Sequence, residues 1–266
     1  VAGVTVETHI DDAIERVDGE IDRFADRLSA VEAFERKLQD IPASAAAAGS
    51  PAATDGGVQV VSNAVGTSPR EKRCREVREL FAETVYPHSA SKGEEPLLKV
   101  IAEEFSKQAS VALAPKTDQQ FTPPVKRTLL SAAADRTAEI ESMQRALRAE
   151  RESLVEAREE TRAVTEWLCE ADQTPLLELD FEALRERHET LADFLQRCET
   201  LAQSRQEVIH STTSQAGAAG VDHQQLVECL YQSFPVRHPA LATTSNLEEV
   251  CRTSQRRVRD HLVRRI

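Results

Sequence analysis

Aromatic side chains are scarce in this sequence, with eight Phe, two Tyr and one Trp set against 29% charged residues. That scarcity excludes a thick globular interior and points to narrow apolar stripes along helices. No apolar run approaches the roughly 18 residues that a membrane-spanning helix needs, and no signal-peptide pattern is read at the start. A cytoplasmic protein with no membrane partner is expected. Cysteine is sparse: Cys74, Cys169, Cys198, Cys229 and Cys251 form no Cys-x-x-Cys pair, and an odd number in a chain of this length reads as reduced thiols. A glycine-rich phosphate loop, a Gly-x-Ser-x-Gly elbow and a zinc-ligand quartet are all missing. The expectation is a protein that is not an enzyme, with no catalytic residue, no cofactor and no metal.

Charge is plentiful and unbalanced. The formal net charge of -12 sets up a mean field that repels phosphate, which counts against adhesion to nucleic acid or anionic lipid over the whole surface. Arg outnumbers Lys among the 33 basic residues, and with abundant Ala, Asp and Glu this balance suits a GC-rich, salt-adapted source. At molar salt the screening length falls to roughly 3 Å, so exposed ion pairs stabilise little and packing must carry the fold.

Apolar residues recur at spacings of four and three from Ile10 through Ile14, Val17, Ile21, Phe24, Leu28 and Val31 to Leu38, with a gap at Glu35, which predicts one acidic heptad helix within residues 1–41. Residues 42–68 are rich in Ala, Gly, Ser and Pro without a period, and read as a flexible linker. The rest, 69–266, reads as a helical domain. Ser68-Pro69-Arg70-Glu71 is a capping box opening a helix to Tyr86, and a second short helix is predicted from about Glu95 to Leu113.

The longest signal starts after Thr122. Leu129, Ala133, Arg136, Ile140, Met143, Leu147, Glu150, Leu154, Ala157, Thr161, Val164 and Leu168 keep one seam without a slip. About 50 residues, or roughly 75 Å of helix, are implied. A second stripe runs Phe181, Leu184, His188, Leu191, Leu195, Cys198, Ala202, Arg205 and Ile209, and the short connection predicts an antiparallel hairpin over about 122–210. Equal steps back from the turn would set Thr161 against His188, Leu154 against Leu195 and Glu150 near Cys198. A C-terminal helical subregion, 222–266, would hold a helix from Asp222 to Phe234 and a last one opened by the capping box Ser245-Asn246-Leu247-Glu248. The fold expected is all-α: an elongated antiparallel helical bundle, or coiled-coil hairpin, built on one long central helix with short accessory helices.

Candidate chemistry is thin. His188 and Cys198 share the hairpin seam, yet ten residues apart they are not neighbours on one face, and they read as a core histidine and a small buried thiol. A site from distant segments would need a set such as Cys229, His238 and Cys251. Arg136 and Glu150 interrupt the long seam, either to hold a ligand between helices or, as the stronger reading, to fix register and partner choice. The last helix carries Arg252, Arg256, Arg257, Arg259, Arg264 and Arg265 against one acid, Asp260. This cluster is the candidate interaction surface. Cations near a helix C-terminus also suit its dipole, and these arginines could dock on the acidic first helix. No aromatic residue interleaves them for base stacking, so nucleic acid is the second choice of partner, behind an unknown protein or a second copy of the chain.

Three segments, FTPPVKRTLLSAA (Phe121 to Ala133), PLLELDFEALRERHETLADFLQRCETLAQSRQ (Pro175 to Gln206) and LYQSFPVRHPALATTSNLEEVCRTSQRRVRDHLVRRI (Leu230 to Ile266), resemble a family of haloarchaeal helical proteins of unknown function. The resemblance implies an all-helical fold over most of the chain except the linker. It carries no activity, cofactor or catalytic residue. The function expected is that of a helical structural or protein-interaction protein, the alternative being a regulatory or nucleic-acid-associated protein that uses its arginine-rich terminus.

Overall fold

The computed structural model describes residues 8–44, 69–90, 93–115, 120–210, 212–213 and 221–264. They form eight α-helices: α1 Ile10–Asp40, α2 Pro69–Thr84, α3 Leu97–Glu104, α4 Lys107–Ala112, α5 Pro123–Asp172, α6 Phe181–Ile209, α7 His223–Leu230 and α8 Pro239–Val263. A two-residue antiparallel ladder, Thr212–Thr213 with Val221–Asp222, is the one strand pairing among the described residues. The linker expected at 42–68 lies, from residue 45 onward, outside the described residues, as do Ser68 of the predicted capping box and Arg265.

The all-helical class holds, and the long helix runs the full 50 residues from Pro123 to Asp172. Two boundaries differ from expectation. The single helix expected over 95–113 is two: Ser106 breaks the run because its Oγ accepts from the Ala109 amide at 3.1 Å, capping a new helix, α4. Helix α8 starts at Pro239, whose fixed φ suits a first helical position. The Ser245 capping box therefore lies inside α8 and caps nothing.

The chain forms two compact units, Arg23–Glu141 and Val1–Asp22 with Ser142–Ile266. In the first, Val31, Phe34 and Leu38 of α1, Val77 and Phe81 of α2, Val100 and Ile101 of α3, and Leu129 and Ala133 of α5 share one core. Phe34, Phe81 and Phe105 meet there with ring centroids 5.1–5.9 Å apart, so several of the few aromatic rings are spent in one place. Beside them Glu104, 8% exposed, accepts from Arg27 Nη2 at 2.9 Å and from Arg136 Nη2 and Nε at 2.8 and 3.1 Å. The seam-breaking Arg136 thus meets a carboxylate from α3.

In the second unit α1 lies along α5, with Asp18 paired to Arg151 and Asp11 to Arg158. Helices α5, α6 and α8 share a core of Val164, Leu168, Leu184, Leu191, Phe194, Cys198, Leu247, Cys251 and Val258. Helix α6 opens at Asp180, whose carboxylate accepts from the Ala183 amide at 2.8 Å. Helices α5 and α6 are antiparallel, but the expected register is wrong by about two turns. Glu150 meets Arg205 rather than Cys198, and Glu160 meets Arg197 at 2.9 Å. Thr161 donates to the Ala157 carbonyl of its own helix, not to His188, and the His188 carbonyl lies 3.4 Å from Gln255 Nε2 of α8. Leu154 is fully buried while Leu195 is only partly so. The slip has a simple source. Helix α5 continues past Leu168 to Asp172, and a displacement near a heptad leaves the apolar seam on the same face, so the stripe alone cannot register it.

Candidate functional site

The side chains that depart furthest from the apolar seam converge within the second unit. Glu150 sits on α5 at a core position, 0% exposed, and Arg205 on α6 at 2%. Their contact is bidentate: Arg205 Nη2 donates to Glu150 Oε1 at 2.7 Å and Nη1 to Oε2 at 2.8 Å, the fork geometry that makes guanidinium–carboxylate pairs strong. Arg205 Nη1 also donates to Ser153 Oγ, 3.2 Å away and one turn along α5.

Helix α7 closes the cluster from a third direction. Asp222 caps it by accepting from the Gln224 amide, which places His223 at its first position. His223 Nε2 lies 2.9 Å from Glu150 Oε2, and Tyr231 Oη donates to Oε1 at 2.7 Å. An ionised carboxylate only accepts, so Nε2 carries the hydrogen. Each oxygen of Glu150 therefore receives two hydrogen bonds. Arg205 Nε and His223 Nδ1 are the buried atoms of the cluster without a hydrogen-bond partner.

Burial alone would raise the Glu150 pKa. The bonds from His223, Arg205 and Tyr231, together with the Arg205 charge, outweigh it and hold the carboxyl at about 2, below its ordinary 4.5. Burial, then the Glu150 charge and hydrogen bond, push the Tyr231 phenol up. Neither group is set up for proton transfer near neutrality: the carboxylate has no lone pair turned to a ligand, and the phenol holds its proton. Two solvent-open clefts, one lined by Thr8, Asp11, Arg158, Thr161 and Arg162 and one by Gln108, Arg127, Thr128 and Asp135, do not include it.

The arginines singled out on α8 lie elsewhere in the same unit. Leu247, Cys251 and Val258 are buried, while Arg252, Arg256, Arg257, Arg259 and Arg264 are exposed. Arg252 pairs with Glu248 one turn back on its own helix. Arg256, Arg257, Arg259 and Arg264 form no ion pair among the described residues, so docking on the acidic first helix is not what occupies them. Val263, 66% exposed, stands among them. Of the set Cys229, His238 and Cys251, Cys229 is exposed and Cys251 buried, and no group of three His, Cys, Asp or Glu side chains placed to hold a metal occurs among the described residues.

The sequence flagged Glu150 and placed Arg205 on the facing seam, but not their meeting. His223 and Tyr231 were missed altogether. Their only signal is a polar and an aromatic residue eight apart, one opening a short helix and one just past its end.

No described helix is long and apolar enough to cross a membrane. No curated protein and no solved structure matches the chain. One family model, described as a domain of unknown function (DUF7260), matches residues 8–255. That match spans both units and all but the last turns of α8, and the chain belongs to the DUF7260 family.

Proposed function

We propose that this chain is a cytoplasmic, non-enzymatic interaction protein of a salt-rich, haloarchaeal-type cell, in which coiled-coil-like seams hold the helices of each unit together and the arginine face of α8 meets an acidic protein surface. The observation that carries this reading is the division of α8 into two faces. One is buried with α6, and the other turns Arg256, Arg257, Arg259 and Arg264 to solvent with no ion pair among the described residues. Evenly solvated surface charge in an acidic chain would leave acids beside them, and Asp260 alone interrupts the run. An acidic protein fits better than nucleic acid because the net charge of -12 opposes a polyphosphate and no ring is interleaved for stacking. A second copy offers one such surface: Asp12, Glu15 and Asp22 are exposed on one stripe of α1. The enclosure of Glu150 keeps that carboxylate from engaging a ligand, since its acceptor capacity is consumed internally.

The test is affinity purification from the native host of the full chain and of a variant with Arg256→Gln, Arg257→Gln and Arg259→Gln, each with and without nuclease. Acidic proteins, or additional copies of the chain, retained by the first and lost by the second whatever the nuclease treatment, are the expected result. Retention that disappears with nuclease would replace this reading with the nucleic-acid one, and identical partners for both proteins would remove α8 from the interface.

A further inference from the structure

Among the described residues the exposed large apolar side chains are Val111, Leu177, Phe181 and Val263. Val111 belongs to α4 in the first unit, and the other three gather at one end of the second. Leu177, 78% exposed, lies in the turn between α5 and α6, and Phe181, 43% exposed, opens α6. Val263, 66% exposed, closes α8. Helix α8 begins beyond α7, which stands beside Arg205 near the end of α6, and Gln255 Nε2 of α8 donates to the His188 carbonyl near the start of α6 at 3.4 Å. The two helices therefore run antiparallel, and equal steps of helical rise from that contact set Val263 level with Phe181. Leu176 and Leu179 of the turn and Leu262 of α8 pack against one core, while Leu177 and Val263 beside them stay exposed. A lone exposed apolar residue is ordinary, but three gathered at one end form a patch of the kind that marks an interface.

We propose that this end of the second unit is a homodimer contact, in which a second copy of the chain sets its own Leu177, Phe181 and Val263 against these three across a two-fold axis. The charges that flank the patch choose the occupant. Glu178 in the turn and Arg264 at the end of α8 are both exposed, and neither forms an ion pair among the described residues. A face with an acid on one side and a cation on the other complements itself, because a two-fold axis between them brings Glu178 of each copy to Arg264 of the other. A uniformly acidic partner would meet Glu178 with like charge, and a uniformly basic one would meet Arg264 in the same way. The two ion pairs set the orientation. The apolar contact supplies the affinity, and it survives the screening that weakens exposed pairs in concentrated salt. Three side chains on each copy make a small interface, so the dimer forms and dissociates with concentration. The contact does not need Arg256, Arg257 or Arg259, and it is separate from the acidic partner of the α8 arginine face.

The experiment is sedimentation velocity on the full chain over a range of protein and salt concentrations, beside Leu177→Asp, Glu178→Arg, Arg264→Glu and the last two combined. All three positions are exposed, so the variants should keep the fold, which circular dichroism and the urea midpoint check. The wild type should pass from one to two chain masses as its concentration rises. Leu177→Asp should raise the dissociation constant at least about tenfold. Each single charge reversal should weaken the dimer at low salt, and the double reversal should restore it. The variant with Arg256→Gln, Arg257→Gln and Arg259→Gln should dimerise as the wild type does. A dimer lost in that variant but kept in Leu177→Asp would run through the arginine face and overturn the assignment. A double reversal no better than either single one would also overturn it. So would a wild type that stays monomeric at every concentration, and its sedimentation with lipid vesicles would then give the patch to a membrane surface.

Discussion

Replacing Glu150 by Gln keeps the shape of the side chain and removes its charge, so it tests the buried cluster with little change in packing. One amide oxygen can still accept from Arg205 and Tyr231. The NH2 group then stands where Oε2 stood and faces Arg205 Nη1 and His223 Nε2. His223 can answer by moving its hydrogen to Nδ1, but a guanidinium has no acceptor to offer, and Arg205, 2% exposed, keeps its charge without a counter-ion. Breaking one side of a buried pair in this way costs about 3–5 kcal/mol. The titration of the carboxyl gives a second route to the magnitude. A folded pKa of about 2 against an ordinary 4.5 corresponds to about 3 kcal/mol of stability at neutral pH.

The sign follows from the depressed folded pKa: the contribution is fully present above pH 4.5 and is lost as the pH falls through the folded value near 2. Urea unfolding of both proteins at a series of pH values measures it. The gap between wild type and Glu150→Gln should be about 3–5 kcal/mol at pH 7 and should narrow steadily below pH 4.5. A gap under about 1 kcal/mol at pH 7, or one that widens on acidification, would refute the reasoning.

Truncating Leu154, fully buried, to Ala should cost about 2–5 kcal/mol, whereas Leu195→Ala should cost clearly less because Leu195 is only partly buried; equal losses in chemical denaturation would restore the register in which the two face each other. Substituting Arg256, Arg257 and Arg259 by Gln should move the unfolding free energy by no more than about 0.5 kcal/mol, since all three are exposed, and a larger thermal or urea shift would show that they pack. Gly19 lies inside α1, and a methyl group added there would meet nothing within 4 Å, so Gly19→Ala should stabilise by about 0.5–1 kcal/mol, read as a raised denaturation midpoint.

The helical class and the length of α5 were legible because a seam of four-and-three spacings from Leu129 to Leu168, with no glycine or proline inside it, admits no other reading. Register was not. A seam that repeats every heptad looks the same after a slip of one heptad, and only the partners of Glu150 and Glu160 distinguish the two alignments. The internal break at Ser106 was hidden because Leu97, Leu98, Ile101 and Phe105 keep a helical stripe up to it, while the cap depends on one hydroxyl turning back to Ala109. The seam showed that Glu150 and Arg136 were out of place. It did not show their partners, because Glu104, His223 and Tyr231 come from short helices whose docking is set by tertiary contacts and not by local pattern. The arginines of α8 were legible as a cluster, and their exposure follows from Leu247, Cys251 and Val258 taking the opposite face.

The closing of the Glu150 cluster from three directions also bears on the order of assembly. Once α5 and α6 have met, Arg205 occupies one lone pair on each carboxylate oxygen, and the other two stay wet until α7 brings His223 and Tyr231 to them. Docking of α7 is the step that dries the charge, and the same step in reverse readmits water to it. The short helix therefore governs how easily solvent reaches the centre of this unit, and its amides, exposed whenever that centre is rehydrated, are where slow hydrogen exchange would report the opening.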